Sequence, residues 1–253
     1  MVRPTLYIFA ISHFCEKARW ALDYLEVDYE LAFLAPGEHS GWAKKRGLEG
    51  TTMPVLETAE GFVQGSGNII DWAELNTQSG KTLTPEAHRE DCLAMEKRLD
   101  EFAGVHTRRM FYSASLLSDP ARIRENFSRD LSAARALKLK LMWPIVRRVM
   151  IKRMDIGVEQ GKESQAIVSK ELQWLESMYE DGRRYLLADT FTRVDLTAAS
   201  LFSRLTAAPE HPFSAFMSLP PGLQDYVSTW RERPVIQRFR ENYRDYRLAG
   251  TGK

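Results

Sequence analysis

The chain opens on an apolar run, Leu6 to Ile11, that breaks at Ser12-His13-Phe14-Cys15 and passes into a 3.6-residue period through Glu16-Lys17-Ala18-Arg19-Trp20-Ala21-Leu22. This predicts a strand feeding directly into a helix that ends near Leu25. Alternation over Tyr29 to Leu34 predicts a second strand, closed by Pro36-Gly37. Residues 38–52 are polar, with Trp42 the only large apolar side chain, and read as a loop with room for a short helix. Met53-Pro54-Val55-Leu56-Glu57 reads as a strand entered through proline, and Gly61-Phe62-Val63-Gln64 as its hairpin partner. Gly65-Ser66-Gly67 then opens a helix that runs to about Thr77.

Beyond Lys81 nearly all spacing is helical. Thr84-Pro85 marks a helix entrance and places the domain boundary, giving residues 1–80 and 85–246. Residues 86–115 are predicted as one long helix, with Leu93, Met95, Leu99, Phe102 and Val105 on its buried face. Asp119-Pro120 starts another. The segment Arg135 to Met154 holds seven basic side chains and no acid, and Pro144 is expected to kink or split it. Amphipathic spacing over Glu163 to Tyr179, the apolar run Leu196 to Leu205 behind the capping box Thr192-Arg193-Val194-Asp195, and two terminal helices complete the pattern. A polar tail expected to be mobile follows.

Composition narrows the function classes. Thirty-five basic and thirty-four acidic residues leave a net charge of +1, so no global field drives binding to nucleic acid. Two cysteines, Cys15 and Cys92, make neither a disulfide framework nor a zinc spacing, and no metal site is expected. No apolar stretch approaches the roughly 18 residues of a membrane span, and the start carries no signal-peptide pattern, so the expectation is a cytoplasmic protein.

The chemistry concentrates at the first helix start. A serine at Ser12 can cap the orphan amides, and Cys15 lies in the first turn, where the helix dipole favours a thiolate or another anion. Ser12 through Arg19 after the first strand, Met53-Pro54-Val55-Leu56, Ser66 at a helix start and Thr192 to Asp195 together resemble the cytosolic glutathione transferase superfamily. The resemblance implies an α/β thioredoxin-like N-terminal domain joined to an all-α C-terminal helical bundle, here enlarged by a basic insert at about 119–158. It further implies a cis peptide before Pro54, with the Met53 backbone pairing with glutathione as co-substrate, and a γ-glutamyl carboxylate held at Ser66 and the adjoining Gly65 amide. Ser12 would be the catalytic hydroxyl, donating to the glutathione sulfur and favouring its thiolate for attack on a small hydrophobic electrophile. His13, Phe14 and Cys15 would be accessory, and a homodimer is implied. Two positions depart from the family: Gly65 stands where an acidic residue is usual, and Thr52 where a lysine is frequent.

Plainer roles stand beside these. Ser12 and Ser66 can be helix caps, Cys15 a buried packing residue and His13 an exposed loop histidine, while Thr192 and Asp195 belong to folding. Met110, Phe111 and Tyr112 either line a second-substrate cleft facing Ser12 or pack in the core. The basic segment is a solvated helix face, or a docking surface for an anionic membrane or an acidic partner. A non-catalytic binding protein on the same fold, and thiol redox through Cys15, are the competing functions.

Overall fold

The computed structural model describes residues 3–216 and 218–247; the tail from 248 lies outside the described residues. Four strands, β1 (Thr5–Ile8), β2 (Glu30–Phe33), β3 (Val55–Thr58) and β4 (Gly61–Gln64), form one sheet in the order β2-β1-β3-β4. β1 and β2 are parallel because α1 (His13–Tyr24) carries the chain back between them. β3 runs antiparallel to both of its neighbours. Leu6 and Ile8 are fully buried, whereas Tyr7 points the other way and meets Trp42 of α2 (Glu38–Lys45), ring centroids 4.4 Å apart. The polar stretch 38–52 therefore does contain a short helix. The Met53–Pro54 peptide is cis, as the resemblance implies. α3 (Ser66–Asn76) packs beside α1.

The long helix predicted over 86–115 is subdivided. A 3₁₀ turn (Glu86–His88) leads into α4 (Arg89–Arg98), a π turn (Leu99–Gly104) and α5 (Val105–Ser118). Leu99 is buried as expected and Leu93 and Met95 are half-buried, whereas Phe102 and Val105 point outward, 48 % and 37 % exposed, which corrects their assignment: the buried stripe runs through Cys92, Glu96, Leu99, Ala103, Thr107 and Met110, and both residues fall beside it. Gly104 is required by packing: a Cβ there would stand 2.5 Å from Cζ of Phe14, so only glycine lets α5 approach the start of α1 this closely.

α6 (Pro120–Ser128) and α7 (Ala133–Arg153) fold back on the end of α5. Together they build a second, smaller core around Tyr112, Leu116, Phe127, Leu139 and Trp143. Pro144 does not split α7, which runs unbroken through it. The proline sits on the exposed side, where water can satisfy the carbonyl it frees, while Leu139, Trp143 and Val146 hold both halves to the core. α8 (Val158–Ser177) lies along α5. α9 (Arg193–Leu201), α10 (Ser203–Thr206), α11 (Gln224–Arg231) and α12 (Pro234–Tyr246) complete the helical part. The capping box forms as predicted. The Asp195 carboxylate accepts from the amide and hydroxyl of Thr192 at 3.0 and 2.8 Å and from the Leu186 amide at 2.8 Å.

The two parts of the chain are joined across α1 and α9 by buried charge. Lys17 lies 2.8 Å from both Glu96 and Asp100, and Arg193 lies 2.6 Å from both Glu96 and Asp71. Arg247 reaches Glu16 at 2.6 Å and Asp23 at 2.7 Å. The Trp20 indole donates to the Tyr246 carbonyl at 2.9 Å, tying the last helix to the first.

Candidate active site between the sheet and the helical part

A cavity of about 500 Å³ opens between the ends of β1 and β2 and the helices α5 and α7. Phe9, Ile11, Ser12 and His13 line it from the end of β1 and the start of α1, Thr51 to Met53 from the segment before β3, and Phe111 and Tyr112 from α5. Ser12 is half-buried with extended backbone, and its Oγ accepts from the Cys15 amide at 3.4 Å. The cap expected at Ser12 is thus present, on a residue that lines the cavity.

Cys15 faces the core and is 1 % exposed. Burial pushes its thiol up to about 12, outweighing the hydrogen bond from Ser12, so the helix dipole does not make a thiolate there. His13 is buried rather than exposed, which corrects the loop assignment. Burial, and after it the neighbouring Arg108 and Arg204 guanidiniums, hold its imidazole well below the usual histidine range, so it is neutral at pH 7. Its Nε2 is buried without a hydrogen-bond partner. Phe14 turns away from the cavity toward Gly104 and packs against the His13 ring at 4.7 Å.

Of the residues expected to hold glutathione, Met53 lines the cavity; Pro54, Gly65 and Ser66 lie outside its lining. They continue the same edge, since the Gly65 amide donates to the Pro54 carbonyl at 3.0 Å and Ser66 is the first residue of α3. Gly65 has φ of +96°, a region that a side chain enters only at a cost. Of the two roles open for these residues, Met110 takes the core one alone, while Phe111 and Tyr112 line the cavity and also pack in the cores.

Arg135, Lys138, Arg153 and several apolar residues of α7 form the outer wall. The Arg135 guanidinium clamps the loop before α2, donating to Glu38 at 3.0 and 2.7 Å and to the Phe33 carbonyl at 2.6 Å. Burial opposes ionisation of Glu38, but the Arg135 hydrogen bonds prevail and hold its carboxyl below the ordinary value. Arg147 donates to the Leu116 carbonyl and Arg135 is clamped, while Lys138, Lys140, Arg148, Lys152 and Arg153 are exposed. Among the described residues no helix is long and apolar enough to cross a membrane.

Sequence reasoning missed Arg108 and Arg204, which both line the cavity. A signal for Arg204 was present: it is the only charged residue between Leu196 and Ala208.

Residues 6–80 match the profile of the glutathione S-transferase N-terminal domain. No protein of curated function matches the sequence. Among solved structures, glutathione transferase GSTFuA2 from Phanerochaete chrysosporium superposes with a TM-score of 0.67 at 15 % identity, covering 98 % of this chain and 100 % of that one. Beta-etherase LigF from Sphingobium sp. strain SYK-6 superposes with a TM-score of 0.56 at 22 % identity, covering 95 % and 100 %. Poplar glutathione transferase F1 gives a TM-score of 0.60 at 11 % identity over 97 % and 94 %. Residues 6–80 are therefore a glutathione S-transferase N-terminal domain, and over its whole length the chain has the glutathione transferase fold.

Proposed function

We propose that this protein is a cytoplasmic glutathione transferase in which the Ser12 hydroxyl donates to the glutathione sulfur and stabilises its thiolate for attack on a small apolar electrophile. The observation that carries the reading is the position of Ser12: a helix-capping hydroxyl lining a largely apolar cavity that Met53 also lines. The glutathione backbone would pair with Met53, and its γ-glutamyl carboxylate would lie at the α3 start by Gly65 and Ser66. A hydroxyl cannot form a mixed disulfide, and Cys15 is buried and protonated at neutral pH, so transfer to carbon is favoured over disulfide exchange. In the transfer the thiol proton leaves to solvent, the sulfur lone pair forms the S–C bond, and the displaced group departs with its bonding electrons. A homodimer fits the same reading, since Leu75, Phe102 and Val105 are exposed apolar side chains that a partner subunit would cover.

The test is Ser12→Ala assayed with glutathione and 1-chloro-2,4-dinitrobenzene. Loss of one hydrogen bond made to developing or full negative charge predicts a fall in kcat of about 100-fold. The bound thiol, followed by thiolate absorbance, should titrate at higher pH in the variant. Unchanged turnover in Ser12→Ala, or no calorimetric binding of glutathione by the unaltered protein, would refute the assignment and favour a binding protein on this fold.

A further inference from the structure

The buried cations Lys17, Arg193 and Arg247 are paired with carboxylates at the domain seam, and two half-buried arginines that line the cavity are not. Arg108 and Arg204 both line the cavity beside Ser12, yet neither forms an ion pair among the described residues. Arg108 Nε is buried without a partner. Arg204 donates to the Ile11 carbonyl at 3.4 Å and stands 5.4 Å from the Phe111 ring centroid, so its contacts are to groups that do not neutralise it. The lining offers no spare counter-charge: Glu38 is its only carboxylate, and Arg135 already holds it. A guanidinium partly removed from water without a counter-ion carries a cost, and two lining one hollow are organised for an anion that arrives from outside.

The rest of the wall sets the ligand's body. Phe111, Phe127, Leu139 and Ile145 present apolar surface, and about 500 Å³ accommodates a molecule of a dozen or so heavy atoms. We propose that Arg108 and Arg204 form an anion-recognising subsite next to Ser12, and that the second ligand of this cleft is a small apolar carboxylic acid, its carboxylate on the two guanidinium forks and its apolar body along α5 and α7. The planar fork matches a carboxylate with two parallel hydrogen bonds. Placement beside Ser12 puts the acid's own carbon chain within reach of a sulfur held there. The assignment of the acid as substrate rests on the transferase reading above; its binding does not.

Calorimetry with 4-phenylbutanoate and its neutral counterpart 4-phenylbutanamide tests the subsite without turnover. The unaltered protein is expected to bind the acid at least tenfold more tightly than the amide, and Arg108→Met/Arg204→Met to reduce that ratio to about twofold with amide affinity retained. Equal affinities in the unaltered protein, or a preference that survives in the double variant, would overturn the proposal. So would parallel loss of both ligands from a variant whose circular dichroism is unchanged. If the double variant does not fold, Arg108→Gln and Arg204→Gln are each expected to lower the ratio, and the proposal fails if neither does. Glutathione is titrated into the same samples. Acid preference without glutathione binding would sink the transferase reading alone, and loss of glutathione affinity with acid binding unchanged would reassign the two arginines to glutathione.

Discussion

The domain seam and the cavity both take arginine and lysine out of water, and they handle the cost in opposite ways. At the seam Lys17, Arg193 and Arg247 each meet two carboxylates within 3 Å, and the partners come from distant parts of the chain. Such a cluster adds little net stability over an apolar packing but penalises any arrangement that separates its members. It therefore fixes how the sheet and the helices sit together. In the cavity that Ser12 also lines, Arg108 and Arg204 have no carboxylate partner among the described residues, and Arg204 meets only the Ile11 carbonyl and the Phe111 ring. Charge that is paired within the chain marks assembly, and charge that is left open marks where a ligand completes the pairing.

Removing one side of the seam gives the largest effect. Lys17→Met strands Asp100 and unbalances Glu96, and is expected to cost about 3–5 kcal/mol in urea unfolding. A cost below 1 kcal/mol would mean that the seam is no more demanding than a surface pair.

Next comes a pH effect at the edge of that seam. His211 is buried near Glu16 and Arg247, and burial first, then the neighbouring arginines against the pull of Glu16, bring its pKa down to about 4. Its Nδ1 accepts from the Phe213 amide at 3.1 Å, which fixes a neutral ring. The unfolded chain takes up this proton near pH 6.5 and the folded chain only near 4, so the contribution is full above pH 6.5 and is lost as pH falls through that window, about 3 kcal/mol in all. Unfolding free energy measured from pH 7 to 4 should fall more shallowly in His211→Asn than in the unaltered protein. Parallel curves would show that the ring carries no linkage.

The cavity should respond with the opposite sign. Arg204→Met is expected to be neutral or to raise stability, by up to about 2 kcal/mol, because it removes a desolvated charge that has no carboxylate to strand. A loss comparable to that of Lys17→Met would erase the distinction between the two regions. The smallest effect belongs to the clamp on α7: Arg135 and Glu38 are both about one-third exposed, so Arg135→Met should cost less than about 1 kcal/mol while loosening the cavity wall. That loosening is read as faster proteolysis at residues 34–38.

Much of this architecture is legible in the residues. Strand alternation, the Ser12 cap, the Met53-Pro54 edge and the Thr192–Asp195 box are local patterns, and each forms where its pattern places it. The π turn is not local information: Leu99 to Gly104 has ordinary helical composition, and the close approach of Phe14 to Gly104 is a contact between residues far apart in the chain. His13 reads as a loop residue because nothing near it in sequence shows that α5 and α10 will close over it. For the same reason Arg108 looks like one more helix cation. Its meaning comes from what the fold leaves out, a carboxylate within reach, and absence of a distant partner has no signature in the chain.

The contact of Phe14 with Gly104 has a consequence for substrate range. Gly104 lies one helical turn before Arg108, at the point where α5 touches the residue two beyond Ser12. A single methyl group introduced there would lever α5 outward and lengthen the span from serine oxygen to guanidinium. Chain length in the accepted acids would then be tuned from a position that no ligand ever meets, by the thickness of one interhelical contact.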